Sequence, residues 1–330
     1  MEIKNNYSKD QILHLIRKHG TASIDAILDP KTTLFCDESI EGFIGYRQIK
    51  KSLIVFGDPI AKPQDHQDLA KRFKHYLDMN NLHAVFVGCS RDFSSLAMNS
   101  ICKGRIEFGK EVIFTPSCNP KDMCGPQASL VRRKVKQALK EGVEIVELKS
   151  LCEKKQMEME SLANDWVKRR KGLQMHISNI YLFENCYGKR WFYASYQGKI
   201  VAAITINKLE NKQGYLMNHL ITDASAPKGT SELLITSVLE ILNQEQCEFV
   251  TVGVVSSQRF GEIQGFSFIF KKIAHFVYEC VRKLVHIDGL EVFWNKFLPA
   301  SKEPSYLLFT KDSVSIKEIF HLLSALKQKK

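Results

Sequence analysis

Gly42-Phe43-Ile44-Gly45-Tyr46-Arg47, a polar turn from Gln48 to Lys51, then Ser52-Leu53-Ile54-Val55-Phe56 closed by Gly57-Asp58-Pro59: two short runs rich in β-branched and aromatic residues, bounded by turn formers, read as a hairpin. Downstream, residues 67–79 repeat their apolar members at helical spacing and residues 82–88 form a buried strand. Strand, helix and strand in succession point to an α/β layer. Upstream, residues 9–19 read as a short helix with Gly20 as its stop signal. Residues 115–126, with Pro and Gly, read as a loop. After it, residues 129–140 form a strongly basic helix ending at Gly142, and residues 143–148 are strand-like.

The same grammar returns in the second half. A helix is expected over about residues 151–170, strands over 191–196, 200–209 and 214–220, a helix over 231–243 and a strand over 249–255. A chain of 330 residues exceeds the size at which one hydrophobic core stops growing. The expected architecture is therefore α/β (α+β), mixed sheets flanked by helices, in two domains of similar pattern, 1–150 and 151–330.

Lys and Arg total 47 against 36 Asp and Glu, a net charge of +11, which predicts a polyanionic partner: RNA, DNA or an anionic membrane surface. Nine cysteines are scattered from Cys36 to Cys280 without a paired framework, and no apolar signal core follows Met1. Both point to a reducing cytosol. Cys118 and Cys124 lack companions for a zinc site, so no metal is expected and the cysteines read as small core hydrophobes. No apolar run approaches the roughly 20 residues of a spanning helix. The nearest, residues 268–285, carries Lys271, Lys272, His275, Glu279, Arg282 and Lys283, with Phe270, Ile273, Val277, Cys280, Val281 and Leu284 at helical spacing. It reads as an amphipathic helix that packs on the protein's own sheet or rests on a membrane.

Near the C-terminus, Gly289-Leu290-Glu291-Val292-Phe293-Trp294-Asn295-Lys296-Phe297-Leu298-Pro299 places one cation inside an aromatic run, followed by Tyr306-Leu307-Leu308-Phe309. An ammonium among Phe293, Trp294 and Phe297 carries a desolvation cost unless it finds an anion. Lys296 is thus a candidate to grip phosphate, carboxylate or a developing oxyanion; the alternative is a lysine snorkelling from an edge strand.

Taken in order, Gly45-Tyr46-Arg47 with Gly57-Asp58-Pro59, Arg132-Arg133-Lys134, Asp165-Trp166 with Lys171-Gly172, Ala226-Pro227-Lys228-Gly229-Thr230 and the run from Gly289 to Pro299 resemble the C-terminal catalytic domain of phosphatidylglycerol lysyltransferases. These are aminoacyl-tRNA-dependent lipid aminoacyltransferases, and the resemblance runs over about residues 35–310. It implies two tandem GNAT-like acyltransferase domains, in a stand-alone soluble form. It also implies transfer of an aminoacyl group from aminoacyl-tRNA to a lipid hydroxyl, with no cofactor, by a cytoplasmic protein peripheral to the inner face of the membrane. Such chemistry asks for positioning and oxyanion stabilisation, and for cations that hold the phosphates of tRNA and of an anionic phospholipid.

The expected phosphate-binding groups are Arg132, Arg133 and Lys134 on the basic helix, Arg169, Arg170 and Lys171 near the domain junction, and Lys228 and Gly229 in the turn before a helix that Thr230 would cap. In acetyltransferases of the GNAT fold such a turn cradles a pyrophosphate, which keeps an acyl-CoA-dependent N-acyltransferase as an alternative. Where many relatives show Asp-Leu-Met-Arg, this chain has Asn218, His219, Leu220 and Ile221, lacking both the acid and the cation. That departure favours a further alternative, a non-catalytic module binding RNA or anionic lipid. His219 is the candidate general base. Asp223 is a candidate to orient it or bind an amino group, or else a turn former.

Overall fold

The computed structural model describes residues 7–22, 27–169, 180, 182–257, 260–285 and 288–312. Helix α1 (Lys9–His19) starts at a capping box in which Ser8 and Gln11 exchange hydrogen bonds. The hairpin is β2 (Ile40–Ile49) and β3 (Ser52–Phe56), preceded by β1 (Thr33–Asp37) and followed by β4 (Ile60–Ala61), α2 (His66–Met79), β5 (His83–Cys89), α3 (Arg91–Met98) and β6 (Gly104–Phe114). Then come α4 (Ser129–Lys140), β7 (Glu144–Glu147), α5 (Glu153–Arg169), β8 (Lys189–Tyr196), β9 (Lys199–Leu209), β10 (Gly214–Thr222) and α6 (Thr230–Gln244). The chain continues through β11 (Val250–Ser256), β12 (Ile263–Gln264), α7 (Phe268–Val285), α8 (Asp288–Asn295) and β13 (Ser301–Phe309).

These strands form one mixed sheet in the order β1-β2-β3-β5-β13-β6-β11-β10-β9-β8-β7, with β4 on β2 and β12 on β6. Side-chain alternation assigns its faces. Leu53 and Val55 of β3 join the core under α2 and α3, whereas Ile54 and Phe56 join the core that includes Ile16 of α1 and Ala274 of α7. In the second half Met217 of β10 packs with Val131, Val135 and Ala138 of α4, Leu234 and Val238 of α6, and Trp294 of α8. Leu216 points the other way, into the α1 cluster, and Ile221 packs with Met159 and Leu162 of α5.

The fold class is the expected mixed α/β one. A division near residue 150 is crossed in both directions: α4 and β7 pack with the later half, while β13 lies between β5 and β6 of the earlier half. Strand β13 can do this because its Tyr306, Leu308 and Phe309 are all buried, which suits a central strand.

Several local expectations change. The aromatic run around Lys296 is no edge strand but the end of α8 and the turn after it. Helix α7 seats Ala274 and Tyr278 while Ile273 faces solvent. Thr230 is the first helical residue, with Gly229 as the cap, and its hydroxyl donates to the Pro227 carbonyl at 2.7 Å. Cys89 and Cys102 are core residues as expected, whereas Cys118, Cys124 and Cys152 are exposed. Among the described residues no group of three or more His, Cys, Asp or Glu is placed to hold a metal ion, and no helix is long and apolar enough to cross a membrane.

Candidate functional site

Strands β10 and β11 run parallel, yet they pair only at Tyr215↔Val250 and Leu216↔Thr251. Beyond that point each is bulged. On β10 the register against β9 shifts between Asn218 and Ile221, where His219 adopts φ +50°, and on β11 the register against β6 shifts between Thr251 and Val254, around Gly253 at φ +80°. Bulges bend strands and re-aim side chains. Here they separate the neighbouring strands toward their C-terminal ends, the side of an open α/β sheet on which ligands bind. The next elements in the chain are the 226–230 turn and the N-terminus of α6.

Lys296 meets this helix. Its Nζ lies 2.8 Å from Oε1 of Glu232 in the first turn of α6, 3.8 Å from the centroid of Phe293 and 5.0 Å from that of Phe297. The anion its surroundings demand is therefore supplied by the protein itself. Burial pushes the Lys296 ammonium below its ordinary value, the Glu232 hydrogen bond and charge oppose this, and Lys134 lowers it further. Lys134 and Lys296 thus act on one another across the α4–α6 contact, and two of the expected cationic residues come together.

A second pair forms at the end of β10. Asp223 accepts from the Ser225 amide at 2.8 Å and the Ser225 hydroxyl at 2.6 Å, the geometry of an Asx turn, and its other oxygen lies 3.2 Å from Nη1 of Arg169. The Ser225 hydrogen bonds chiefly, and Arg169 in addition, hold its carboxyl below the usual range. Asp223 is both a turn former and an ion-pair partner. His219, expected at a strand end, sits inside the β10 bulge, half-buried, with its amide donating to Oδ1 of Asn218 at 2.9 Å. Arg170 and Lys171 lie outside the described residues.

The remaining expectations divide. Arg132 turns back on the preceding loop, donating to the Met123 carbonyl and, at 2.9 Å, to that of Gly125. Its charge staples residues 123–125, while Arg133, Lys136 and Lys228 are exposed. Arg132→Ala is expected to cost about 1 kcal/mol and to speed proteolysis of the 117–127 loop. Arg133→Ala should leave the melting curve unchanged, because the side chain is exposed. The space a side chain would need at Gly229 is filled by the Lys134 backbone, so this glycine serves the close approach of α4 and α6. In the other matched motif, Asp58 is buried and accepts from the Ser90 amide at 2.9 Å, pinning the start of α3.

Glu111 escaped the sequence reading. It lies on β6 opposite Val254 of the bulge and Glu303 of β13. Burial raises its carboxyl above the ordinary 4.5, a Thr251 hydrogen bond and Lys212 oppose the shift, and Asp58 and Glu303 add to it. A carboxyl with a raised folded value stabilises the chain below 4.5 and loses that contribution as pH climbs through the folded value. Denaturant titrations of Glu111→Gln are expected to show a flatter fall of stability above pH 4.5 than the wild type. The only signal in the sequence was an acid set among the apolar members of a strand.

A cavity of ≈ 450 Å³ lined by Tyr7, Asp10, His14, Glu41 and Tyr187 among others lies against α1, and none of the expected site residues borders it.

A mixed sheet whose parallel strands β10 and β11 are both bulged, followed in the chain by the α6 N-terminus and its lysine–glutamate pair, defines a mixed α/β protein. The chain belongs to the family of phosphatidylglycerol lysyltransferase C-terminal domains, whose model matches residues 14–309. No curated protein matches the sequence. Among solved structures it is similar to the C-terminal domain of a putative lysylphosphatidylglycerol synthetase from Agrobacterium fabrum, with 17% identity, 96% of this chain and 95% of that one covered, and a TM-score of 0.78. It is likewise similar to L-PGS from Bacillus licheniformis, at 15% identity, full coverage of both chains and a TM-score of 0.79. A conserved protein of unknown function from Bacteroides thetaiotaomicron shares the fold at 11% identity, with 94% of this chain and 99% of that one covered and a TM-score of 0.64.

Proposed function

We propose that the protein transfers an aminoacyl group from aminoacyl-tRNA to the hydroxyl of a phospholipid at a membrane surface. The observation that carries this reading is the family match across residues 14–309. In the reaction the acceptor oxygen bonds to the aminoacyl carbonyl carbon and the ester bond to the tRNA ribose breaks. The acceptor's proton passes to the departing ribose oxygen, so the energetics need only positioning, proton transfer and oxyanion stabilisation.

His219, half-buried in the bulge, is assigned the proton, and Lys296 the oxyanion. A lysine ammonium has three donors, and its bond to Glu232 uses one of them. Arg169 and Asp223, paired at 3.2 Å, supply beside the bulge the cation and acid that Ile221 and Asn218 do not. Arg133, Lys134 and Lys228 are assigned to phosphates of tRNA or lipid.

The test supplies purified protein and phospholipid with aminoacyl-tRNA or acetyl-CoA, each labelled in the acyl group. Label entering the chloroform phase from tRNA alone is the expected result. Label moved only from acetyl-CoA overturns the proposal, and tight salt-dependent binding without turnover of either donor leaves a binding module instead. Mass spectrometry of lipids from expressing cells then names the amino acid and the acceptor.

A further inference from the structure

Helix α7 carries two apolar stripes, and the fold uses one of them. Ala274 and Tyr278 are buried on the sheet, with Phe270 and Val277 partly covered. On the far side Phe268, Ile269 and Phe276 are each 71% exposed and Ile273 is 40% exposed. At about 100° per residue these four fall within a sector of about 140°. Four large apolar side chains on one solvent face exceed the scattered exposure of an ordinary surface. Lys272 lies in the same sector with its Nζ 4.7 Å from the Phe268 ring centroid, and exposed His275 and half-buried Lys271 border it. Glu279 is the one acid on the helix within residues 268–279, in a chain whose net charge is +11.

We infer that this face of α7 docks on an anionic lipid bilayer, with Phe268, Ile269, Ile273 and Phe276 entering the acyl boundary and Lys272 at headgroup level. Aromatic and aliphatic residues on one side of a helix with lysines at their edge match a membrane interface in both polarity and charge. The chain's continuity argues for the same occupant. Helix α8 follows α7 after two residues, is eight residues and so about 12 Å long, and hands the chain to Lys296. Docking through α7 therefore holds the candidate site close to the surface that offers its acceptor. The purpose of the face rests on the lipid-acceptor reading, although its geometry does not.

The test is sedimentation of the full chain with phosphatidylcholine vesicles, with and without phosphatidylglycerol. The wild type is expected to pellet with the anionic vesicles, and Phe268→Ser with Phe276→Ser to lower partitioning on the order of tenfold or more, with an unchanged melting temperature because both rings are exposed. Lys272→Ser should weaken the salt dependence. Equal partitioning of variant and wild type overturns the inference. So does a wild-type dimer that the double variant dissolves without any vesicle binding, since a second copy then covers the stripe. Binding that appears only after residues 313–330 are removed overturns it too, by assigning the stripe to the chain's own end. Aminoacyl transfer to detergent-dispersed lipid separates this result from the proposed function. Retained transfer in the double variant supports docking, its loss moves the stripe into the site and overturns docking, and vesicle binding by a wild type that never transfers sinks the enzyme reading alone.

Discussion

Glu232→Gln is expected to cost the fold about 3 kcal/mol, because it removes the counter-charge of an ammonium that has little water to turn to. Only 17% of the Lys296 side chain and 8% of the Glu232 side chain are exposed, and the faces of Phe293 and Phe297 offer a weaker substitute for a carboxylate. The pH dependence should change with it. A lysine held below its ordinary 10.5 binds fewer protons folded than unfolded in the window beneath that value, so stability rises with pH across the window. Losing Glu232 removes the two effects that oppose the shift and extends the window toward neutrality. Lys296→Met combined with Glu232→Gln is expected to recover much of the loss, since a neutral pair of similar volume has no charge to strand. That double variant also separates structure from chemistry. With stability restored, it should still fail to transfer an aminoacyl group. A wild-type rate would reduce Lys296 to half of a structural ion pair.

The elements that were legible in the sequence have a single dominant period. Helix α4 was readable to the residue because Val131, Val135 and Ala138 recur on one side of a run rich in cations, and the β2–β3 hairpin because its turn is polar and its flanks are not. Strand β6 was not legible. Gly109 interrupts its apolar alternation, Lys110 and Glu111 follow as adjacent charges, and its pairing with β13 shifts at Phe108. Helix α7 was legible as a helix but not in its orientation, because either apolar stripe could have faced the sheet. The pairs that build the site are invisible to periodicity for a different reason. Glu232 and Lys296 are 64 residues apart, and Asp223 meets Arg169 only because α5 lies across β10. Their juxtaposition follows from sheet order, above all from β13 entering between β5 and β6, and no local pattern encodes that.

Gly229→Ala should be among the most damaging single substitutions in the chain. Gly229 has φ +95°, a conformation that costs any other residue, and a Cβ there would stand 2.0 Å from the Lys134 carbonyl oxygen and 2.7 Å from its carbon. The obstacle is backbone within α4, so no side chain can swing aside. Helices α4 and α6 would have to separate, breaking the packing of Val131, Val135 and Ala138 against Leu234 and Val238. With left-handed strain and lost packing together, a loss on the order of 4 kcal/mol is expected, read as a fall in melting temperature. Lys228→Ala, one residue earlier and exposed, should leave the melting temperature unaltered and lower affinity for a phosphate-bearing substrate. The contrast assigns the turn. A glycine needed only to admit a ligand would let Gly229→Ala fold normally and lose binding, whereas a helix-packing glycine loses the fold first. The Lys134 backbone already occupies the space a side chain would need, so the α4–α6 contact itself requires the glycine.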